Sequence, residues 1–166
     1  MIETNTRWLP AVDELAAGYA QADALAIFAA VDRLAHASLG HELCTINRYD
    51  EEGMRVVRLY SSNPAAYPPG GSKEKRGTAW GRHVLMERRI FVGEGTEAIR
   101  QAFDDHAAIA ALGLRSIINV PVVFQDECLG TVNLLMTDEH VSAEQVGAAR
   151  LAALHTVAGF CLLRMR

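Results

Sequence analysis

Asn119 and Asn133 stand inside two apolar, β-rich runs, where a carboxamide needs a hydrogen-bonding partner. The runs are Ser116–Phe124 and Cys128–Met136, joined by Gln125-Asp126-Glu127. Val, Ile, Phe and Thr suit a pleated surface, and the polar tripeptide closes an antiparallel hairpin. With that loop, Phe124 faces Cys128, Pro121 faces Thr131 and Asn119 faces Asn133. Alternation places Asn119, Pro121, Thr131 and Asn133 on one face. Ile118, Val120, Val122, Val132 and Leu134 form the opposite, core face. Two fates are open to the amides: they bond each other or a neighbouring loop, or they point into a ligand cavity.

Groups suited to covalent chemistry are sparse. The chain has no Gly-x-Ser-x-Gly, no His-Glu-x-x-His and no phosphate-binding glycine loop. Gly93-Glu94-Gly95 reads as a turn. Glu94, Asp104 and Asp105 could be paired carboxylates, but adjacent acids on a helix mostly face water. Cys44, Cys128 and Cys161 are odd in number, far apart and set in apolar runs, which fits buried reduced thiols better than a disulfide framework or a metal site. No cofactor and no metal are expected.

The 166 residues are half apolar and 22% charged, as in one soluble globular domain with a full core. A net charge of −4 gives no support for nucleic-acid binding. The basic clusters Lys73–Arg76 and Arg88-Arg89 read as solvated loops. No apolar run approaches the ~20 residues that span a bilayer. The start, MIETNTRWLP, lacks the pattern of a signal peptide. A cytoplasmic protein with neither nucleic acid nor membrane as partner is expected.

The elements that must position these groups follow from periodicity and punctuation. Trp8–Ala20 is a short helix with Pro10 in its first turn. Asp23 caps a longer one, Ala24–Leu39, ended by Gly40. His41–Tyr49 and Met54–Tyr60 are strands around the turn Asp50–Gly53. Ser61–Gly77 is a long irregular loop. Thr78 caps a helix over Ala79–Glu87, Arg89–Val92 is a strand, and Thr96 caps a helix over Glu97–Ala111 that Gly113 stops. The last helix starts at Ser142, where Ser-x-x-Gln forms a capping box. It carries two apolar lines, one through Ala149, Ala153 and Phe160, the other through Leu151, Leu154 and Met165. One line suits the sheet and the second suits the N-terminal helices, a partner chain, or both. Hairpin-joined strands with terminal helices give an α+β fold, a central antiparallel sheet with helices on its faces.

The pattern LGLRSIINVPVVFQDECLGTVNLL resembles the signature of GAF domains, small-molecule sensor modules related to PAS domains. The matching positions are Gly113, Ser116, Pro121, Val122, Leu129 and Gly130, and the order of elements agrees from about Asp23 to Met165. The resemblance implies a GAF-like domain over residues 23–166, preceded by a helical extension over 1–22. It also implies terminal helices on one sheet face and Ser61–Leu114 covering a pocket on the other. That cover and the residue after it hold Tyr67, Trp80, Arg82, His83, His106 and Arg115. With Asn119, Thr131 and Asn133 they would suit a small polar or aromatic ligand. Each has a plainer reading too: Trp80 as a core anchor, the histidines as surface or hydrogen-bonded residues, the arginines as exposed charges.

Specialised versions of the family leave traces that can be sought. Bilin attachment needs a cysteine in the cover, and none lies between Cys44 and Cys128. The Asn-Lys-Phe-Asp-Glu motif of cyclic-nucleotide binders is absent. Free methionine-(R)-sulfoxide reductase needs clustered pocket thiols. The expected function is a non-catalytic sensor of an unidentified small molecule, a homodimer through its terminal helices. No kinase, cyclase or DNA-binding motif occurs in these residues, so either a separate signalling protein is the expected receiver or signalling has been lost altogether. The alternatives are the reductase type of enzyme and a purely structural dimerisation module.

Overall fold

The computed structural model of the protein describes residues 8–165. Residues 1–7, which carry most of the segment read above for a signal peptide, lie outside them.

Helix α1 spans Leu9–Ala20 and α2 spans Ala24–Leu39. The Asp23 carboxylate accepts from the amides of Leu25 and Ala26, and Gly40 closes α2 in the left-handed region at φ 64°. Six strands follow: β1 Leu43–Asp50, β2 Arg55–Ser61, β3 Ser72–Glu74, β4 Phe91–Glu94, β5 Ser116–Phe124 and β6 Glu127–Met136. They form one sheet in the order β3-β2-β1-β6-β5-β4, every neighbouring pair antiparallel. Helices α3 (Gly95–Ala102), α4 (His106–Ala111) and α5 (Ala143–Arg164) complete the chain. At the start of α5, Ser142 and Gln145 bond each other's backbone N–H, the capping box.

Four local expectations are corrected. The loop Ser61–Gly77 contains β3, whose Lys73 pairs with Val56 on β2. The helix over Glu97–Ala111 is broken: Phe103 is extended and buried, so the chain turns there and restarts at His106. Helix α3 begins at Gly95, so Thr96 caps nothing, and the Gly93-Glu94-Gly95 turn is the end of β4 running into α3. The segment after Thr78 is helical as expected and Thr78 Oγ1 caps it, but Gly81–Met86 winds as a π-helical turn, in which the amide of Glu87 reaches back to the Arg82 carbonyl at 2.8 Å.

The hairpin register at the amides holds, but for a different reason. The loop has two residues, Gln125 and Asp126, both at positive φ, so Phe124 faces Glu127 rather than Cys128. A bulge then offsets the pairing between Val122 and Val123, leaving Leu129 as the extra residue and restoring Pro121 opposite Thr131 and Asn119 opposite Asn133. A loop one residue shorter and a bulge of one residue cancel.

One sheet face packs on α1, α2 and α5 through Ile27, Phe28, Val31, Ile46, Ile118, Val132, Leu134 and Phe160. The rings of Phe28 and Phe160 are 5.4 Å apart. A β-carbon at Gly130 would lie 2.0 Å from the Asn47 carbonyl oxygen, so only glycine lets β1 and β6 approach there. Asp32 on α2 ties this layer to the sheet: Tyr60 donates to its Oδ2 at 2.7 Å, and His41 Nε2 lies 2.6 Å from its Oδ1. Tyr60 reaches that side because a bulge at Leu59 puts it opposite Ile46. Helix α5 is long and apolar enough to cross a bilayer by length and composition, which corrects the expectation that no run approaches a span. In this fold its Ala149, Ala152, Ala153, Thr156 and Phe160 are buried within the domain.

Candidate ligand site on the sheet face

Strand parity builds the site in three rows across the opposite face of the sheet. The first row is apolar: Leu43, Leu135 and Ile117, paired in turn from β1 to β6 to β5. The second is polar: Thr45, Asn133 and Asn119, paired in the same order, with Phe91 of β4 beyond. The third runs Arg58, Asn47, Thr131 and Pro121. Val56 and Arg58 on β2, and Lys73 on β3, face the same way, and all three line the cavity.

The cover comes from Tyr67, Lys75, Trp80, Phe103 and Ile109. Thr78 braces the turn beneath Trp80, accepting from Gly81 N–H at 3.0 Å and donating to the Lys75 carbonyl at 2.8 Å. A β-carbon at Gly81 would stand 2.5 Å from that same carbonyl, so a glycine is what lets the turn sit on the end of β3. Trp80 and Phe103 meet edge to face, as do Phe103 and Phe91. Between cover and floor lies a cavity of about 70 Å³.

The two amides are satisfied by the protein. Trp80 donates its indole N–H to Asn119 Oδ1 at 2.9 Å. Asn119 Nδ2 donates to Asn133 Oδ1 at 2.7 Å, and Asn133 Nδ2 donates to Thr45 Oγ1 at 3.1 Å. The first of the two fates is met, since the amides bond each other, and both also line the cavity. Other buried polar atoms on this face have no protein partner, namely Tyr67 Oη, Arg58 Nε, Asn47 Oδ1 and Thr131 Oγ1. Such atoms need a ligand or water to recover their hydrogen bonds.

Charge in the cavity is mainly positive. Lys73 is paired with Asp105 at 2.7 Å. Lys75 is buried, 8% exposed, with its ammonium 4.9 Å from the Trp80 ring centre and 5.8 Å from that of Phe103. Burial, with Lys73 nearby, holds its pKa below the ordinary lysine value. Arg58 stacks on Tyr67 at 5.0 Å and donates to the Pro68 carbonyl at 3.0 Å. Burial, and then the Asp105 charge, push the Tyr67 phenol up to about 12. This arrangement corrects the reading of Lys73–Arg76 as a wholly solvated loop: Lys-Glu-Lys alternates, with Glu74 outward and both lysines inward.

The profile of the GAF domain family matches residues 14–161. The chain belongs to the GAF domain family. Comparison with curated proteins finds no match by sequence. Among solved structures, the GAF domain of a phosphoenolpyruvate-protein phosphotransferase from Coxiella burnetii superposes at TM-score 0.75 with 16% identity, covering 98% of each chain. A methyl-accepting chemotaxis protein fragment gives TM-score 0.69 at 17% identity, over 91% of this chain and 97% of that one. The phycoerythrobilin-bound GAF domain of a cyanobacterial phytochrome gives 0.67 at 14%, over 95% and 96%.

Of the nine residues singled out from sequence, this GAF domain brings Tyr67, Trp80, Asn119 and Asn133 to the cavity wall. Thr131 is buried on the same face, one row away. The other four lie elsewhere. Arg82 is exposed, and His83 is spent on the Ile90 carbonyl at 3.0 Å. His106 lines a separate hollow beside Thr96 and Arg100. Arg115 is exposed and paired with Glu139. Sequence reading missed Thr45, Asn47, Arg58, Lys75 and Phe103, although the Lys-Glu-Lys alternation was a usable signal for Lys75. None of the three cysteines lines the cavity. Burial, then Asp32, raises the Cys44 thiol well above its ordinary pKa, and burial pushes Cys128 to about 11. Asp32, His41 and Cys44 gather ligand-type atoms within 4.8 Å on the helix side, where Asp32 is already committed to Tyr60 and His41.

Proposed function

We propose that this GAF domain is a sensory module that binds a small molecule in the sheet-face cavity and acts as a homodimer on a separate signalling protein. The observation that carries the reading is a lined cavity whose walls hold buried, unpartnered polar atoms at Tyr67, Arg58 and Asn47. A purely structural module would fill that face with apolar side chains. An enzyme of the methionine sulfoxide reductase type would need thiols at the cavity, and all three lie away from it. The phytochrome relative is a bilin-bound protein, but a tetrapyrrole needs far more than the 70 Å³ available here. The ligand of this reading is smaller. Exposed Leu151 and Leu154 on α5 support pairing of two copies through that helix.

A thermal-shift screen of small metabolites tests the binding claim on the wild type beside Gly71→Leu. Gly71 is exposed at the cavity mouth, and a β-carbon there would stand 2.8 Å from the end of the Arg58 guanidinium and 3.5 Å from the Pro68 carbonyl oxygen, so a leucine pushes side chain into the mouth. At a hundredfold excess over Kd, a ligand stabilises the fold by ~2.7 kcal/mol, a readily measured rise in Tm. A shift lost in Gly71→Leu supports the cavity. A shift kept in full places binding elsewhere.

A further inference from the structure

We propose that the cavity takes a small organic carboxylate, its head between Lys75, Arg58 and Tyr67 and its apolar body against Ile117, Leu135 and Trp80. This deepens the sensory reading and rests on it. Four charged side chains line the cavity: Arg58, Lys73, Lys75 and Asp105. The single carboxylate is already engaged by Lys73. Among the described residues, no acid lies within ion-pair distance of Lys75 or Arg58, and the lining carries three cations against the one acid, Asp105, in a chain whose net charge is −4.

Surface lysines hold their ammonium in water, because burying it unpaired is costly. Lys75 is 8% exposed, so little of its side chain reaches water. It is part of the cover, its ammonium set against the Trp80 and Phe103 rings, and those return a fraction of what hydration gives. Opposite it, Arg58 keeps a buried Nε without a partner, and the buried Tyr67 hydroxyl, beside the Asp105 carboxylate, makes no hydrogen bond of ordinary geometry. An ammonium, a guanidinium and a phenol O–H are all donors. The one acceptor of negative charge beside them, Asp105, is held by Lys73, so a second anionic acceptor is what they lack. The remaining walls are apolar, and the space is small, so the acceptor belongs on a compact organic acid rather than on a nucleotide. The amide row beneath offers no competing cation site, since its oxygens accept from Trp80 and Asn119.

The test is calorimetric titration of the full chain with straight-chain carboxylates from acetate to hexanoate and with benzoate. Each acid is run beside its primary amide, and inorganic phosphate is run as the competing anion. At least one acid is expected to bind at least tenfold more tightly than its amide. Lys75→Met is expected to weaken that acid tenfold or more, with an unchanged circular dichroism spectrum. Arg58→Gln serves as the second variant if Lys75→Met fails to fold. Amides that bind as well as their acids would overturn the anionic ligand while leaving a small-molecule pocket in place. Phosphate outcompeting every acid would overturn the carboxylate. Acid binding untouched by both variants, or no acid binding at millimolar concentration, would also overturn it.

Discussion

The indole N–H of Trp80 donates to Asn119 Oδ1 at 2.9 Å, joining the cover of the cavity to its floor across 39 residues of sequence. Asn119 passes the contact on to Asn133, and Asn133 to Thr45, so one polar chain runs perpendicular to three strands. The amides thus fix where the cover sits, and the groups left for a ligand are the cations and hydroxyls around them.

Asn119→Leu removes the middle of that chain. It leaves the Trp80 N–H and Asn133 Oδ1 buried and unpaired, at about 1–3 kcal/mol for each group. The expected result is a lower Tm and red-shifted tryptophan fluorescence as the cover loosens. The double variant Asn119→Leu/Asn133→Leu is expected to lose less than the sum of the singles, since it removes both partners of one bond. Additive losses would mean that the two amides act independently.

Lys75→Met replaces a buried cation with a side chain of similar shape, so the ligand-free protein is expected to melt at a higher temperature. The difference depends on pH. Folding lowers the Lys75 pKa, through burial first and Lys73 second, while Asp105 and Asp104 oppose the shift. Between the lowered value and the free-chain value of about 10.4, the unfolded chain binds more protons and stability rises with pH. The advantage of Lys75→Met should therefore shrink on going alkaline. The measurement belongs below about pH 10, where unfolded tyrosines begin to ionise and Tyr67, held near 12 in the fold, adds the opposite slope. An advantage that grows with pH would contradict the placement of Lys75.

The hairpin turn Gln125-Asp126 holds both residues at positive φ, at 50° and 62°. Asn-Gly takes that conformation with less strain. Gln125→Asn/Asp126→Gly is expected to stabilise the domain by ~1 kcal/mol, or about 2–4 °C in Tm at this size. Loss of the Arg88–Asp126 surface pair offsets little of this. A lower Tm would point to a three-residue loop.

Much of the fold was legible because its signals are local. Asp23 and Gly40 bound α2, and Ser142 with Gln145 opens α5, all by caps that act within a few residues. The register at Asn119 came out right only because the loop length and the Leu129 bulge offset each other, and a bulge leaves no mark in binary patterning. The site was half legible. Asn119, Asn133, Tyr67 and Trp80 stood out as polar or aromatic groups in apolar or irregular surroundings. Arg58 and Lys75 did not, because a charged side chain in sequence looks solvated until tertiary packing buries it. Phe103 was hidden by a helical pattern that it interrupts.

Leu151 and Leu154 are 55% and 61% exposed on the outer face of α5. Leu151→Glu/Leu154→Glu is expected to halve the mass seen by light scattering at tens of micromolar, with helical content unchanged. A wild type that is already monomeric there would remove the homodimer from the account.

The most direct test of ligand binding on the sheet face uses the two tryptophans of the chain. Trp8 lies exposed at the start of α1, while Trp80 points its N–H at Asn119. The ¹⁵N-labelled protein is titrated with a compound that raises its Tm, and the two indole resonances are followed. Binding on the sheet face is expected to move the Trp80 signal to saturation with the dissociation constant of the ligand while Trp8 stays in place. A Trp80 signal unmoved at saturating ligand would contradict it.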